Sequence, residues 1–562
     1  MNSKITNSIF TFLFLLLTVS TIAQSHYPGM FLVSFTDKNQ SPYSVSNPKQ
    51  FLSSRAIERR AKASIAIIEQ DLPVNPFYID SLNYYGAQSS FSSRWLNAVL
   101  IRMDDSLRMQ ELLHLSFVDS MQYLAPVKNK KSGKSSKRYT KRHAKTVETG
   151  MQEFVDEINY GASYQQLDLI GLTALHKLQY LGEGIQIAVL DNGFRGLDKM
   201  KAFNQLFENG QLLGTKDIAS PKGSVFKAGN HGTYVMTTMA AYDEGVLVGS
   251  APGASYWLIH TEDNDYEYPI EEFNWAVGVE FADSAGVDII TSSLIYSTFD
   301  DSRLNHSHDE LDGKTAIISR AAQTATEKGV LVFNSAGNDA TNAWHKIAFP
   351  ADAKDVMTIG AVNIEGKYAK FSSVGYTVDD RIKPNVVAVG DGTKSISPNT
   401  GELISINGTS FSNPTIAGAA AILLQANPNA SMDDIRSAIE LSASQNAHPD
   451  SLLGYGIPNF YLAHIILNNG DMPNMEDVEG FTLMPNPFID DLYILYTSSD
   501  SQEVVLQAYD ISGKLVFESN IEESQPGVNL IKVNQASTLG QGMYVMVLFV
   551  NGQRYTRKLV RK

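Results

Sequence analysis

Two kinds of apolar run alternate along the middle of this chain. From about Ile158 to about Leu467, short strand-like runs (IQIAVL, SYWLIH, VDIITSSL, VLVFNSAG, VMTIGAV) alternate with longer helical stretches (YVMTTMAAY, EEFNWAVGVEFADSAG, AIISRAAQTATEKG, TIAGAAAILLQA). Near-continuous apolar strands are buried on both faces, so the alternation predicts an α/β unit: a parallel sheet with helices on both faces. Ahead of this block, Met30–Phe35 reads as a strand, Pro76–Tyr85 as a short helix, Trp95–Met103 as a strand and Asp105–Leu115 as an amphipathic helix. Together they predict a small α+β unit. Behind the block, short strands with turn residues between them (LYILYT, VVLQAYD, ISGKLVFES, NLIKVN, GMYVMVLFVNG, TRKLV) predict a separate all-β, sandwich-like domain.

Polar stretches separate these units. Lys128–Lys145 (KNKKSGKSSKRYTKRHAK) has no apolar periodicity and cannot form a core, so it reads as an exposed linker open to proteolysis. NNGDMPNMEDVEG, beginning at Asn468, reads as a hinge. At the start, Lys4 precedes the apolar run Ile9 to Val19, and the small residues Thr21 and Ala23 flank a cleavage point before Gln24. That is the layout of a signal peptide, and the run is too short for the roughly 20 apolar residues that a membrane span needs. The expected organisation is therefore a signal peptide over 1–23, an N-terminal domain with its basic linker over 24–147, the α/β domain over 148–468, a linker over 469–480 and the β domain over 481–562.

Composition narrows the function. With 43% hydrophobic and 19% charged residues the chain is neither disordered nor a polytopic membrane protein. A net charge of -15 opposes binding to phosphate backbones, so nucleic acid is not an expected partner. The absence of cysteine from the sequence rules out disulfides, a thiol nucleophile and thiolate zinc sites.

Three candidate residues carry chemistry. Asp191 follows the run Ile185–Leu190 and so sits at the carboxyl edge of a buried strand, where open α/β sheets present their sites. His231, in Asn230-His231-Gly232, opens a predicted helix. Ser410, in Gly408-Thr409-Ser410-Phe411-Ser412-Asn413-Pro414, stands at the N-terminus of a small-residue helix with Pro414 expected in the first turn. Free N–H groups and the helix dipole there favour an oxyanion. Each residue alone has a bland reading, as a turn, a cap or a structural histidine. Their order, Asp then His then Ser, matches one of the three common arrangements of a serine-hydrolase triad and neither of the others.

At this point the stretch from Gly182 to Ala463 resembles the subtilisin-like (subtilase) serine proteases. IAVLDNGF is similar to their aspartate motif, NHGTYV to their histidine motif and GTSFSNP to their serine motif. Further similarity lies in Gly249–Ala254, in Ser293-Leu294, in Ser335-Ala336-Gly337-Asn338 and in FSSVGYTVDDRIKPNVVAVG. The resemblance implies a subtilisin-like fold and a serine endopeptidase acting on proteins or peptides through an acyl-enzyme. It implies Asp191, His231 and Ser410 as catalytic residues, and Asn338 with the Ser410 backbone N–H as the oxyanion hole. Ser293, Leu294, Ile295, Ala336 and Gly337 are the implied substrate-binding residues. No catalytic metal or other cofactor is expected, a structural calcium ion is left open, and a monomer is expected.

Asn192 stands where the family often has Thr, Tyr234 where a second His is common, and Phe411 where Met is frequent; none removes a reacting atom. Ile295 stands where the family usually has glycine, which leaves the preferred cleavage residue open. The segment from Met30 to Leu124 resembles the inhibitory propeptide of secreted subtilases, with an independent binding domain as the alternative. The tail, with Met484-Pro485-Asn486-Pro487-Phe488, YDISGKLVF, Gly542-Met543-Tyr544-Val545 and a basic end, resembles the C-terminal sorting domain of the type IX secretion system of Bacteroidota-type bacteria. A β-sandwich with another binding role is the alternative there. For the whole chain the rivals are a non-catalytic subtilase-fold binding protein and an esterase or amidase using the same triad.

Overall fold

The computed structural model describes residues 28–127, 158–469 and, with short gaps, 481–561. The expected signal peptide, the basic linker and most of the polar hinge lie outside the described residues. The middle block folds around a seven-stranded sheet whose strands run in the order Val386–Val389, Met357–Val362, Leu331–Ser335, Ile289–Ser292, Gln186–Asp191, Ser255–His260 and Leu212–Asp217. Every neighbouring pair is parallel. Alternation within each strand divides the core in two. Ile187 and Val189 face the helices His231–Met239 and Thr409–Ala426, whereas Ala188 and Leu190 face Ile270–Ala285 and Ile317–Glu327. Helices therefore cover both faces, as the run pattern predicts.

One helix departs from expectation. Thr409–Ala426 begins one residue before Ser410, which leaves Pro414 in the second turn, inside the helix. Proline has no N–H, so the Ser410 carbonyl four residues earlier loses its helical donor. The Ser293 hydroxyl supplies one instead, donating to that carbonyl at 3.0 Å.

The N-terminal domain is a four-stranded antiparallel sheet in the order Gln88–Ser93, Ala98–Met103, Gly29–Phe35, Val118–Pro126, with helices at Ser54–Lys62, Pro76–Tyr84 and Ser106–Leu113. The strand expected from Trp95 starts at Ala98, because Arg94 and Trp95 turn their backbone N–H groups to the Glu280 carboxylate, at 2.9 and 3.2 Å. This domain docks on the Ile270–Ala285 side of the central sheet, and Leu32, Trp95, Leu100 and Leu124 share one apolar cluster with Phe273, Val277 and Ile317.

The C-terminal region is an antiparallel sandwich of a three-stranded and a four-stranded sheet over one core that includes Phe481, Ile494, Tyr496, Leu506, Met546 and Leu548. Phe488 of the Pro-Asn-Pro-Phe opening is buried in that core, and its N–H donates to the Val560 carbonyl at 3.0 Å.

Candidate active site

The chain reverses its direction of travel across the sheet at the strand Gln186–Asp191, next to the central one. After Gln186–Asp191 it moves to one side, and it then returns to lay Ile289–Ser292 on the other. A crevice outside the carboxyl ends is expected at such a switch point. Asp191 ends one of the two strands that flank it, and Ser293 follows the other.

The turn after Asp191 is unusually close to its neighbour. Gly193 has φ +121°, and a β-carbon there would lie 2.5 Å from the Gly229 nitrogen. This contact brings the loop ahead of His231 onto the turn, where the Asn192 Oδ1 accepts from the His231 N–H at 3.2 Å. His231 Nδ1 then lies 2.8 and 3.0 Å from the two Asp191 carboxylate oxygens. Asp191 also accepts from the Asn192 N–H at 2.7 Å. Asp191 is 0% exposed, His231 7% and Ser410 7%, so the pair is shielded from competing water. Burial disfavours the imidazolium. The charge and hydrogen bond of Asp191, with a smaller contribution from the charge of Glu262, outweigh it and hold His231 above the ordinary imidazole value.

Ser410 is the second residue of its helix, in the turn where N–H groups have no helical acceptor. The residue after it, Phe411, carries a ring whose centroid is 5.8 Å from that of His231. Asn338 joins from the loop beyond Leu331–Ser335. Its Oδ1 accepts from the Thr409 N–H at 2.9 Å and the Thr409 hydroxyl at 3.1 Å. A backbone N–H can only donate, so this bond fixes the amide oxygen inward and leaves the NH2 as the outward donor. The Thr409 hydroxyl also accepts from the Gly337 N–H at 3.2 Å. Asn413 donates to the Ser292 carbonyl and the Thr291 hydroxyl, both at 3.0 Å.

Of the residues expected at the site, Asp191 ends a strand, His231 and Ser410 open helices, and Ser293, Leu294, Ile295, Ala336, Gly337 and Asn338 lie just beyond strand ends. Thr409, Asn413 and Glu262 were not singled out from the sequence. Thr409 lies within the GTS tripeptide, but its partner Asn338 is 71 residues away. Glu262, buried and hydrogen-bonded by the Tyr296 hydroxyl, had no local signal at all.

A buried Asp–His pair on the carboxyl edge of a parallel sheet, with the ring of Phe411, the residue after Ser410, packed near the imidazole, fits the arrangement of an α/β serine hydrolase. Residues 182–456 match the model of the subtilase family, residues 30–141 that of the peptidase S8 propeptide domain of Bacteroidota, and residues 482–562 that of the secretion system C-terminal sorting domain. The α/β domain is thus that of a subtilase-family serine endopeptidase, in a chain made as a zymogen and addressed to the cell surface or the exterior. It is 28% identical to Subtilisin NAT of Bacillus subtilis subsp. natto over 295 residues, which cover 52% of this chain and 68% of that one. It is likewise 28% identical to Subtilisin BL of Lederbergia lenta over 287 residues, 51% of this chain and 93% of that one.

Proposed function

We propose that Asp191, His231 and Ser410 are the catalytic triad of this endopeptidase, and that Asn338 Nδ2 and the Ser410 N–H form its oxyanion hole. The observation that carries the reading is the buried bond from Asp191 to His231 Nδ1, 2.8 Å long, at the same sheet edge as the Ser410 helix. Asp191 holds the proton on Nδ1, which leaves Nε2 as the base. Ser410 Oγ attacks the substrate carbonyl carbon as Nε2 takes its proton, and the carbonyl π electrons move onto oxygen, where Asn338 and the Ser410 N–H meet them. Collapse breaks the C–N bond, the imidazolium protonates the leaving amine, and water repeats the sequence on the acyl-enzyme.

Ser293, Leu294 and Ile295 on one side, and Ala336 and Gly337 on the other, are the proposed substrate-binding edges, where an extended peptide backbone can add as a strand. The proposed chemistry calls on no metal, since the developing charge is met by N–H donors, and the proposed working unit is a monomer. The test is labelling with a fluorophosphonate followed by peptide mapping. Modification of Ser410 in the wild type, lost in His231→Ala, is expected. Labelling at another serine, or undiminished labelling of Ser410 in His231→Ala, would overturn the assignment.

A further inference from the structure

Both substrate edges continue from neighbouring strands, Ile289–Ser292 and Leu331–Ser335, which are hydrogen-bonded along their length. Beyond their ends the two loops flank Ser410: Ser293 binds its carbonyl at 3.0 Å, and Gly337 binds the hydroxyl of Thr409 at 3.2 Å. With the peptide strand placed between these two proposed edges, the space between Ile295 and Gly337 is where the residue that supplies the carbonyl would lodge its side chain. That space is already bridged. A β-carbon built on Gly337 would lie 2.9 Å from Ile295 Cδ1 and 2.8 Å from Ser373 Oγ, so Ile295 and Ser373 occupy the volume over the glycine.

The backbone of neither wall is free to retreat. On the Ile295 side, the Leu294 carbonyl accepts from Asn334 Nδ2 at 3.1 Å, and Tyr296 exchanges two backbone bonds with Phe349, at 3.0 and 3.1 Å. Ile295 itself is β-branched and stiff at χ1. On the Gly337 side, the Ser373 N–H donates to the Gly337 carbonyl at 3.0 Å, and the Ser373 hydroxyl accepts from the Asp339 N–H at 3.0 Å. A bulky substrate side chain would have to turn the Ile295 and Ser373 side chains aside, because the backbone that carries them is hydrogen-bonded in place.

We propose that Ile295 is a specificity-determining residue that shortens the primary pocket, so that the enzyme cleaves after small residues (Gly, Ala, Ser) and disfavours large apolar ones. The inference rests on the assignment of Ser410 as nucleophile and deepens it by naming the class of bond cut. The test measures kcat/KM on a peptide series that differs only in the residue supplying the acyl carbonyl (Gly, Ala, Ser, Leu, Phe). The wild type, Ile295→Gly and Ile295→Val are compared, with active enzyme counted by fluorophosphonate titration so that misfolded material is not scored. Pocket differences of a methylene or so are worth roughly 10–200-fold. The wild type is expected to take Ala over Leu and Phe by at least about tenfold, and Ile295→Gly to raise Leu and Phe by a factor in that same range of about 10–200 while Ala changes little. Ile295→Val is expected to shift the order in the same direction by less, and it carries the test if the glycine variant does not fold. Wild-type cleavage after Leu or Phe as fast as after Ala would overturn the proposal. So would an unchanged order of preference in the titrated variants. A wild type that hydrolyses neither the series nor casein and takes no label at Ser410 would instead overturn the underlying triad assignment.

Discussion

Asp191 and Asp283 are both fully buried carboxylates with cationic or hydrogen-bonding partners, but their partners come from different places. Asp191 is held by His231 and the Asn192 N–H, from its own domain. Asp283, on the Ile270–Ala285 helix, is paired with Arg59, Arg60 and Arg94, all from the propeptide domain. Around it Glu280 accepts from Ser93, Arg94 and Trp95, and Arg55 pairs with Asp288. Removing one partner of a buried ion pair leaves an uncompensated charge in a dry site. Cutting away the whole propeptide removes the three arginines and the cover together, and Asp283 meets water instead. On the proposed reading the first carboxylate stays buried through turnover, and the second is buried only until the propeptide is removed.

The largest expected effect breaks the permanent pair. Asp191→Asn keeps the shape but reverses the preferred hydrogen-bonding tautomer of His231, and kcat should fall about 10⁴-fold with folding retained. Next, Asp283→Ala in an unprocessed Ser410→Ala background should destabilise the docked propeptide by about 3–5 kcal/mol, measured as earlier melting or faster tryptic release of the N-terminal domain. In the mature enzyme the same substitution should change stability by no more than about 0.5 kcal/mol, as at an ordinary surface site. Equal effects in the two forms would remove the contrast.

Asn338→Ala should lower kcat by about 10²–10³ while leaving fluorophosphonate labelling at Ser410 detectable. The smallest effect is a pH shift. The working base is the neutral imidazole, so kcat/KM should rise with pH through one ionisation above the ordinary imidazole value, where Asp191 and Glu262 hold His231. Glu262→Gln removes a negative charge that favours the imidazolium, so the rising limb should move to lower pH. A limb that stays in place would remove Glu262 from the account.

The α/β domain was legible because its strands are buried on both faces and its proposed reacting residues sit in short motifs at strand and helix ends. The docking surface was not. The Ser54–Lys62 helix buries Ala56, Arg59 and Arg60, and a buried face made of arginines has no apolar periodicity to read. Its logic appears only with Asp283, more than 200 residues away. The strand Gln88–Ser93 (QSSFSS) was missed for a related reason: polar residues fill it, and Ser93 is buried against Glu280 rather than against an apolar core. Within the proposed site, Asp191, His231 and Ser410 were singled out from motif and order, and the structure brings Asp191 and His231 together. Thr409, Ser293 and Asn413 act as clamps across long sequence separations, and only folding brings them to their partners.

The most direct test of the central claim is intact mass together with casein hydrolysis, followed in parallel for purified wild type and Ser410→Ala. The account predicts that the wild type loses its propeptide and gains activity, while Ser410→Ala keeps its full unprocessed mass and hydrolyses nothing. A fully processed wild type as inactive as the mutant, or a mutant that still hydrolyses casein, would contradict it.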